Sequence, residues 1–403
     1  MELSFPLILD GATGTQLQKR GYTGEDCAER WILEHPQAIV ELQQAYIEAG
    51  SQIIYAPSFG ANRVKLEQHG IFGRVEEYNR ELVALSRKAA GGRAYVAGDL
   101  APTGELLYPL GRMSFGELFE VYSEQVQALE KAGADLYVIE TMMSLAEARA
   151  ALLAVKSHSK KPVLVTFTCD ERGRTLNGSD ICAVLQVIQG MGADAFGLNC
   201  SSGPETMLPL LERLRAVARV PLVCKPNAGL PEIVGGETVY DCPPQVFASH
   251  AREMAALGVS IFGGCCGTTE EHISALKEAL EGISPAPPCP KYLDKLPAAT
   301  EKELFFLDPA IEPPEPLACD EELEEALLES AELPMVTIAI ERPEDLDIFA
   351  DCQYMICCPL CISCADVGLL DQALALYQGR AIYDGPLGDK ELLPLCRRYG
   401  LII

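Results

Sequence analysis

Along residues 1–285, short apolar runs rich in β-branched and aromatic residues alternate with longer stretches whose apolar positions fall three and four apart. Eight runs are legible: Leu7 to Leu9, Ile53 to Ala56, Tyr95 to Ala97, Leu136 to Ile139, Val163 to Phe167, Ala195 to Leu198, Leu222 to Cys224 and Ser260 to Phe262. Such continuous runs predict strands buried on both faces, as in a parallel sheet. Stretches such as Ala38 to Ile47 present the single apolar face of a packed helix. Eight strand and helix units in series predict an α/β protein built on a closed (β/α)8 (TIM) barrel rather than an open sheet. Repeated helix endings, Glu48-Ala49-Gly50, Lys131-Ala132-Gly133 and Gly190-Met191-Gly192, supply glycines for left-handed caps and belong to that architecture.

Beyond the barrel the pattern changes. From Pro285 to about Pro316 the chain is proline-rich without a period, which predicts a linker. Asp320 to Glu332 carries seven acidic and no basic residues around Leu323, Ala326, Leu327 and Leu328, a surface helix that is either a solvated face or a docking site. Residues Met335 to Ile403 offer only three or four further strands, too few to close a barrel. The expected organisation is a barrel over 1–285, a linker with an acidic helix over 286–333, and a small incomplete α/β unit over 334–403.

Charge and composition narrow the function. With 58 acidic against 32 basic residues the net charge is −26, which opposes binding to nucleic acid or to anionic membranes. No apolar run reaches the roughly 18 residues of a spanning helix. Met1 to Leu9 carries no basic residue and reads as a first strand, not a signal peptide. Sixteen cysteines without an export signal point to a cytoplasmic protein with reduced thiols, used for metal ligation or catalysis before disulfides.

A barrel of this kind builds its active site at the carboxyl ends of its strands. Three of the eight runs end at or beside a cysteine, and Cys265-Cys266 sits between Gly263-Gly264 and Gly267. Neighbouring strand residues point to opposite faces, so both sulfurs can reach one ion only if the backbone leaves the pleat, a freedom expected of these glycines. Thr268-Thr269-Glu270-Glu271 reads as a capping box opening the next helix. With Cys200 the pair makes a three-thiolate set that selects zinc and leaves a fourth position open. A thiol placed there loses its proton near neutral pH yet remains nucleophilic, so the set suits thiol alkylation. The competing reading is three ordinary buried cysteines. A second cluster, Cys357, Cys358, Cys361 and Cys364, reads either as a metal site or as part of a buried strand.

The phrases Asp10-Gly11-Ala12-Thr13-Gly14-Thr15, Gly197-Leu198-Asn199-Cys200, Pro226-Asn227-Ala228-Gly229-Leu230-Pro231 and Gly263-Gly264-Cys265-Cys266-Gly267-Thr268 resemble the homocysteine S-methyltransferase family. The likeness is greatest to the homocysteine module of cobalamin-dependent methionine synthase. The resemblance implies a (β/α)8 barrel, Cys200, Cys265 and Cys266 as zinc ligands, homocysteine as substrate and methionine as product. It implies no catalytic group beyond the metal ligands. Asp10 and Glu140 would hold the amino acid end of homocysteine, with backbone amides from Gly11 through Thr13 to Gly14 receiving its carboxylate. Ser58 and Asp99 are further candidates on the same rim, and for Asp10 and Asp99 a turn or cap role competes.

The tail phrases Pro359 to Ser363, Gly379 to Asp384 and Leu392 to Gly400 resemble the middle of the folate barrel of that enzyme, but its start and later strands are missing. None of the five histidines lies in an Asp-x-His-x-x-Gly arrangement, so the corrinoid-ligating motif is absent. The methyl donor is therefore expected from outside: a corrinoid protein, or a methylated sulfonium or betaine-type compound. Two rival readings are a non-catalytic homocysteine- or zinc-binding subunit of a corrinoid methyl-transfer complex, and the same barrel acting on a different thiol.

Overall fold

All eight apolar runs form strands, lying parallel in one sheet, in a computed structural model that describes residues 5–108, 111–235 and 237–403. They are β1 (Leu7–Ile8), β2 (Ile53–Tyr55), β3 (Tyr95–Leu100), β4 (Leu136–Met142), β5 (Val163–Phe167), β6 (Ala195–Asn199), β7 (Leu222–Lys225) and β10 (Val259–Phe262). The hairpin of β8 (Glu232–Val234) and β9 (Glu237–Val239) is inserted after β7. The order β1-β10-β7-β6-β5-β4-β3-β2 leaves β1 and β2 to meet at a seam.

Side chains complete that seam. Gln52 donates its backbone N–H to the Ile8 carbonyl (2.8 Å) and accepts the Ile8 N–H on Oε1 (2.9 Å). Ser51 Oγ donates to the Leu9 carbonyl, and Asp10 Oδ2 accepts the Tyr55 N–H at 2.7 Å. Asp10 is thus part of the barrel's closure as well as of its mouth.

Strand alternation divides the core. Leu136 and Val138 point into the barrel with Leu9, Tyr55, Leu164 and Val223, while Tyr137 and Ile139 pack outward under the helices. Both faces are buried, which is why the strands read as unbroken apolar runs. The helix Phe115–Ala132 shows how sequence sets the boundaries. Ser114 and Glu117 form its capping box, and Gly133, at φ 83°, ends it in the left-handed region before β4.

The proline-rich span is not a structureless linker. Its Leu304-Phe305-Phe306-Leu307 run forms β12 (Leu304–Leu307), antiparallel to β11 (Leu296–Ala299), and Tyr292 packs on Phe306 at 4.1 Å between ring centres. Frequent prolines hid a strand whose apolar, β-favouring residues decide locally. The acidic stretch forms the helix Leu323–Glu329, with Leu323 and Leu327 buried and Leu328 exposed. The tail carries three parallel strands, β13 (Val336–Ala339), β14 (Leu360–Ser363) and β15 (Ile382–Asp384).

The tail is fastened to the barrel. Buried Arg149, on the helix Leu145–His158, donates to the carbonyls of Leu374 (2.8 Å) and Ala375 (3.3 Å) and to Gln378 Oε1 (2.7 Å). Those carbonyls end the helix Val367–Leu376, so the cation also meets the negative end of that helix. Ala299 of β11 pairs with Arg380 in both directions, at 3.2 and 2.7 Å, which ties the hairpin to the tail.

Candidate metal centre and the rim around it

Cys200 follows β6, where the chain turns sharply. Among the described residues only Thr141, Cys200 and Ser201 are non-glycine residues with positive φ, at 58°, 58° and 62°, and all three lie at the barrel mouth. Such conformations cost energy and persist only where surrounding bonds enforce them. Here Cys200 donates its N–H to the Lys225 carbonyl (3.1 Å) and Ser202 returns to the Cys200 carbonyl (2.7 Å). Thr141 donates its N–H to Asn199 Oδ1 at 3.0 Å.

After β10 the chain leaves the pleat. Cys265 donates its N–H to the Pro226 carbonyl (2.8 Å) and the Cys266 carbonyl accepts from Ala228 (2.9 Å), so neighbouring cysteines no longer point to opposite faces. The three sulfurs lie within 4.8 Å of one another, with Cys200 and Cys266 Sγ 3.9 Å apart.

The glycines act differently from expectation. Only Gly267, at φ 81°, needs glycine's conformational freedom. At Gly264 a Cβ would fall 2.4 Å from Thr268 Oγ1, and at Gly263 one would fall 3.0 Å from Lys225 Cγ and the Asp10 carbonyl, so both serve close approach. The expected capping box also shifts by one residue. Thr269 is the N-cap of the helix Glu270–Ala279 and His272 Nδ1 accepts its N–H at 3.1 Å. Thr268 instead ties the loops together, accepting the Ala12 N–H (3.0 Å) and donating to the Cys265 carbonyl (2.8 Å).

The three thiols are electrostatically coupled. Hydrogen bonds from the Cys265 and Cys266 thiols hold Cys200 far below the ordinary thiol range, while the same bonds to Cys200 push the other two up. At this spacing the three sulfurs could hold a metal ion. Among the described residues this is the one group of three such ligands within reach of one ion. The tail cysteines form no such group: Cys358, Cys361 and Cys364 are buried around β14 and Cys357 is exposed.

Beside the sulfurs lies a buried set of charges. Lys225 Nζ is 3.1 Å from Asp10 Oδ1, 3.9 Å from Glu140 Oε2 and 3.6 Å from the centre of the Tyr55 ring. Burial raises the acids Asp10, Asp99 and Glu140 above the usual carboxylate range; Glu140 repels Asp99 and raises it further, and Asp10 and Cys200 do the same to Glu140. Burial pulls Lys225 down, but Tyr55, Asp10 and Glu140 outweigh it and hold the ammonium above the usual lysine range. Glu140 Oε2 and Asp99 Oδ1 are buried without a hydrogen-bond partner.

The structure thus brings Asp10, Asp99 and Glu140 to one rim. Ser58 is committed elsewhere: its Oγ donates to the Asp99 carbonyl (2.9 Å) and accepts the Asp99 N–H (3.1 Å). Gly11 lies against Tyr46, where a Cβ would fall 2.6 Å from the ring, and the neighbouring Ala12 amide is spent on Thr268. Thr13 precedes the helix Gly14–Gln18 without capping it by its side chain. Sequence reasoning assigned no role to Lys225, Asn199, Asn227 or Tyr240. Asn227 and Tyr240 lie beside Cys200 and Cys266, near enough to influence their titration or be influenced by it, and Asn199 Nδ2 donates to Thr141 Oγ1 at 2.7 Å. The available signal was a lysine closing an otherwise apolar strand.

Residues 7–280 match the family model described as homocysteine S-methyltransferase. Methionine synthase of Mycobacterium tuberculosis is 32% identical over 295 residues, and that of Mycobacterium leprae 31% over 292. These alignments cover 69% and 68% of this chain, which spans about a quarter of the length of those relatives. The metallated form of the Escherichia coli homocysteine methyltransferase MmuM superposes with a TM-score of 0.58 at 26% identity, covering 68% of this chain and 95% of that one. The chain belongs to the homocysteine S-methyltransferase family.

Proposed function

We propose that this chain is a zinc-dependent methyltransferase that places a methyl group on the sulfur of homocysteine to give methionine. The observation that carries the reading is the pairing, on one rim, of a three-sulfur set with two buried carboxylate oxygens that lack partners. Zinc held by Cys200, Cys265 and Cys266 would supply an exchangeable position and favour the thiolate of a bound thiol.

The chain's own residues do the remaining work. Glu140 and Asp99 present their oxygens to the substrate ammonium, whose charge would offset the shortage of positive charge around these acids. Asp10, fixed by Tyr55 and Lys225, forms the wall behind them. The substrate carboxylate lies toward the loop at Gly11 and Thr13. Asn227 and Tyr240, beside Cys200 and Cys266, would help to orient their sulfurs. The methyl donor comes from outside these groups: a corrinoid protein, or a sulfonium or betaine-type compound. All sixteen cysteines are free, which supports a reducing, cytoplasmic setting, and no helix among the described residues is long and apolar enough to cross a membrane.

The test is direct. Zinc-loaded protein is incubated with homocysteine and, in turn, S-methylmethionine, betaine and a methylated corrinoid, and methionine is measured. Formation with any donor supports the reading. Tight homocysteine binding with no turnover by any donor would favour a non-catalytic subunit, and turnover of another thiol alone would move the substrate.

A further inference from the structure

Lys225 is the one buried lysine among the described residues. Its stem runs past Gly263, where a Cβ would crowd Cγ at 3.0 Å. The backbone carbonyl accepts the Cys200 N–H at 3.1 Å, while Nζ reaches Asp10 at 3.1 Å and stops 3.9 Å short of Glu140. One residue therefore spans both halves of the rim, the sulfur loop through its main chain and the carboxylates through its head group.

That head group faces Asp10, Glu140, the Tyr55 ring and, through space, Cys265. Two buried carboxylates, Asp10 and Asp99, and the partly buried Glu140 share this rim with a single ammonium and are short of positive charge. Lys225 satisfies Asp10 at 3.1 Å, while Glu140 Oε2, 3.9 Å from the same ammonium, and Asp99 Oδ1 are left without a hydrogen bond, which leaves room for a second cation to complete the set. A buried ion pair fixes geometry strongly, because removing one partner strands the other in a low dielectric.

Resting on the reading that the rim takes homocysteine, we infer that Lys225 is a positioning residue whose fixed charge holds Asp10 and Glu140 in place, so that Glu140 and Asp99 select thiols carrying an ammonium group. Lys225 itself does not touch the substrate. Its removal therefore harms recognition of the amino group and spares recognition of the thiol and carboxylate.

The experiment compares calorimetric binding of L-homocysteine and of 4-sulfanylbutanoate, which keeps thiol and carboxylate but lacks the amino group. The proteins are zinc-loaded wild type, K225M and K225R, each with zinc content and melting temperature recorded. K225M should weaken homocysteine about ten- to a hundredfold, the range of a lost charge-assisted contact, and leave 4-sulfanylbutanoate unchanged. K225R should recover part of the loss. Equal homocysteine binding by wild type and K225M would overturn the inference. So would a parallel loss of both ligands, which would make Lys225 a partner of the substrate carboxylate or a purely structural residue. Should K225M fail to fold, E140Q in the intact chain must show the same selective loss, and its absence is equally decisive. If wild type binds neither ligand, it is the functional reading that fails.

Discussion

Replacing Gly267 with alanine strikes the backbone that presents the paired cysteines. Gly267 sits at φ 81°, and a Cβ there would lie 2.3 Å from Tyr240 Cβ and 2.4 Å from its Cγ. Holding a non-glycine residue in the left-handed region costs about 1–2 kcal/mol. Driving Tyr240 aside adds about 1–3 kcal/mol of overpacking, so the total is roughly 2–5 kcal/mol. At about 2–4 °C per kcal/mol for domains of 150–250 residues, the melting temperature should fall on the order of 10 °C. Tyr240 also lies beside Cys266, and if Cys266 holds the metal as proposed, disturbing a neighbour of a ligand typically costs about 10–100-fold in metal affinity. Scanning calorimetry with a competitive zinc-chelator titration reads both quantities. Gly14→Ala is the matched control, since nothing lies within 4 Å of its added Cβ and its φ is ordinary. If G267A melts and holds zinc like wild type and G14A, the geometry assigned to the cysteine turn is wrong.

Arg149→Met should loosen the tail, because it leaves two carbonyls and the Gln378 oxygen without their donor at about 1–3 kcal/mol for each buried acceptor. Limited proteolysis should then cut residues 334–403 faster than in wild type, and an unchanged rate would refute the docking role. The third prediction concerns acid. Burial holds His272 below 6.5, and its neutral ring accepts the Thr269 N–H while the other nitrogen bonds the Cys242 carbonyl. The unfolded chain takes up a proton that the folded chain resists, so this contribution is complete above the unfolded value of about 6.5 and is lost as pH falls toward the folded value. Melting temperatures at pH 8 and pH 5.5 should therefore differ less for H272Q than for wild type, and an equal difference would count against it.

The barrel was legible because strands buried on both faces leave unbroken apolar runs, and Val163 to Phe167 needs no further information to be placed. The bonding at its seam was not, since that depends on the Gln52 and Asp10 side chains bonding backbone far away in sequence. The sulfur set could be read from Cys265-Cys266 in its glycine bracket. The work of each glycine could not, because close approach at Gly263 and Gly264 depends on Lys225 and Thr268 arriving from other elements. Lys225 escaped notice for a related reason: a lysine at a strand end ordinarily reaches water, and only the folded barrel shows that this one does not. The β12 strand was masked by the prolines around it.

Zinc content tests the centre of the account most directly. Chain purified with zinc present and dialysed free of loose metal, then assayed by plasma mass spectrometry, should retain about one ion per molecule, as a three-thiolate set implies. C200A, C265A and C266A should each lose it while remaining folded by circular dichroism. A metal-free wild type, or any of these variants holding zinc as firmly as the parent, would contradict the assignment.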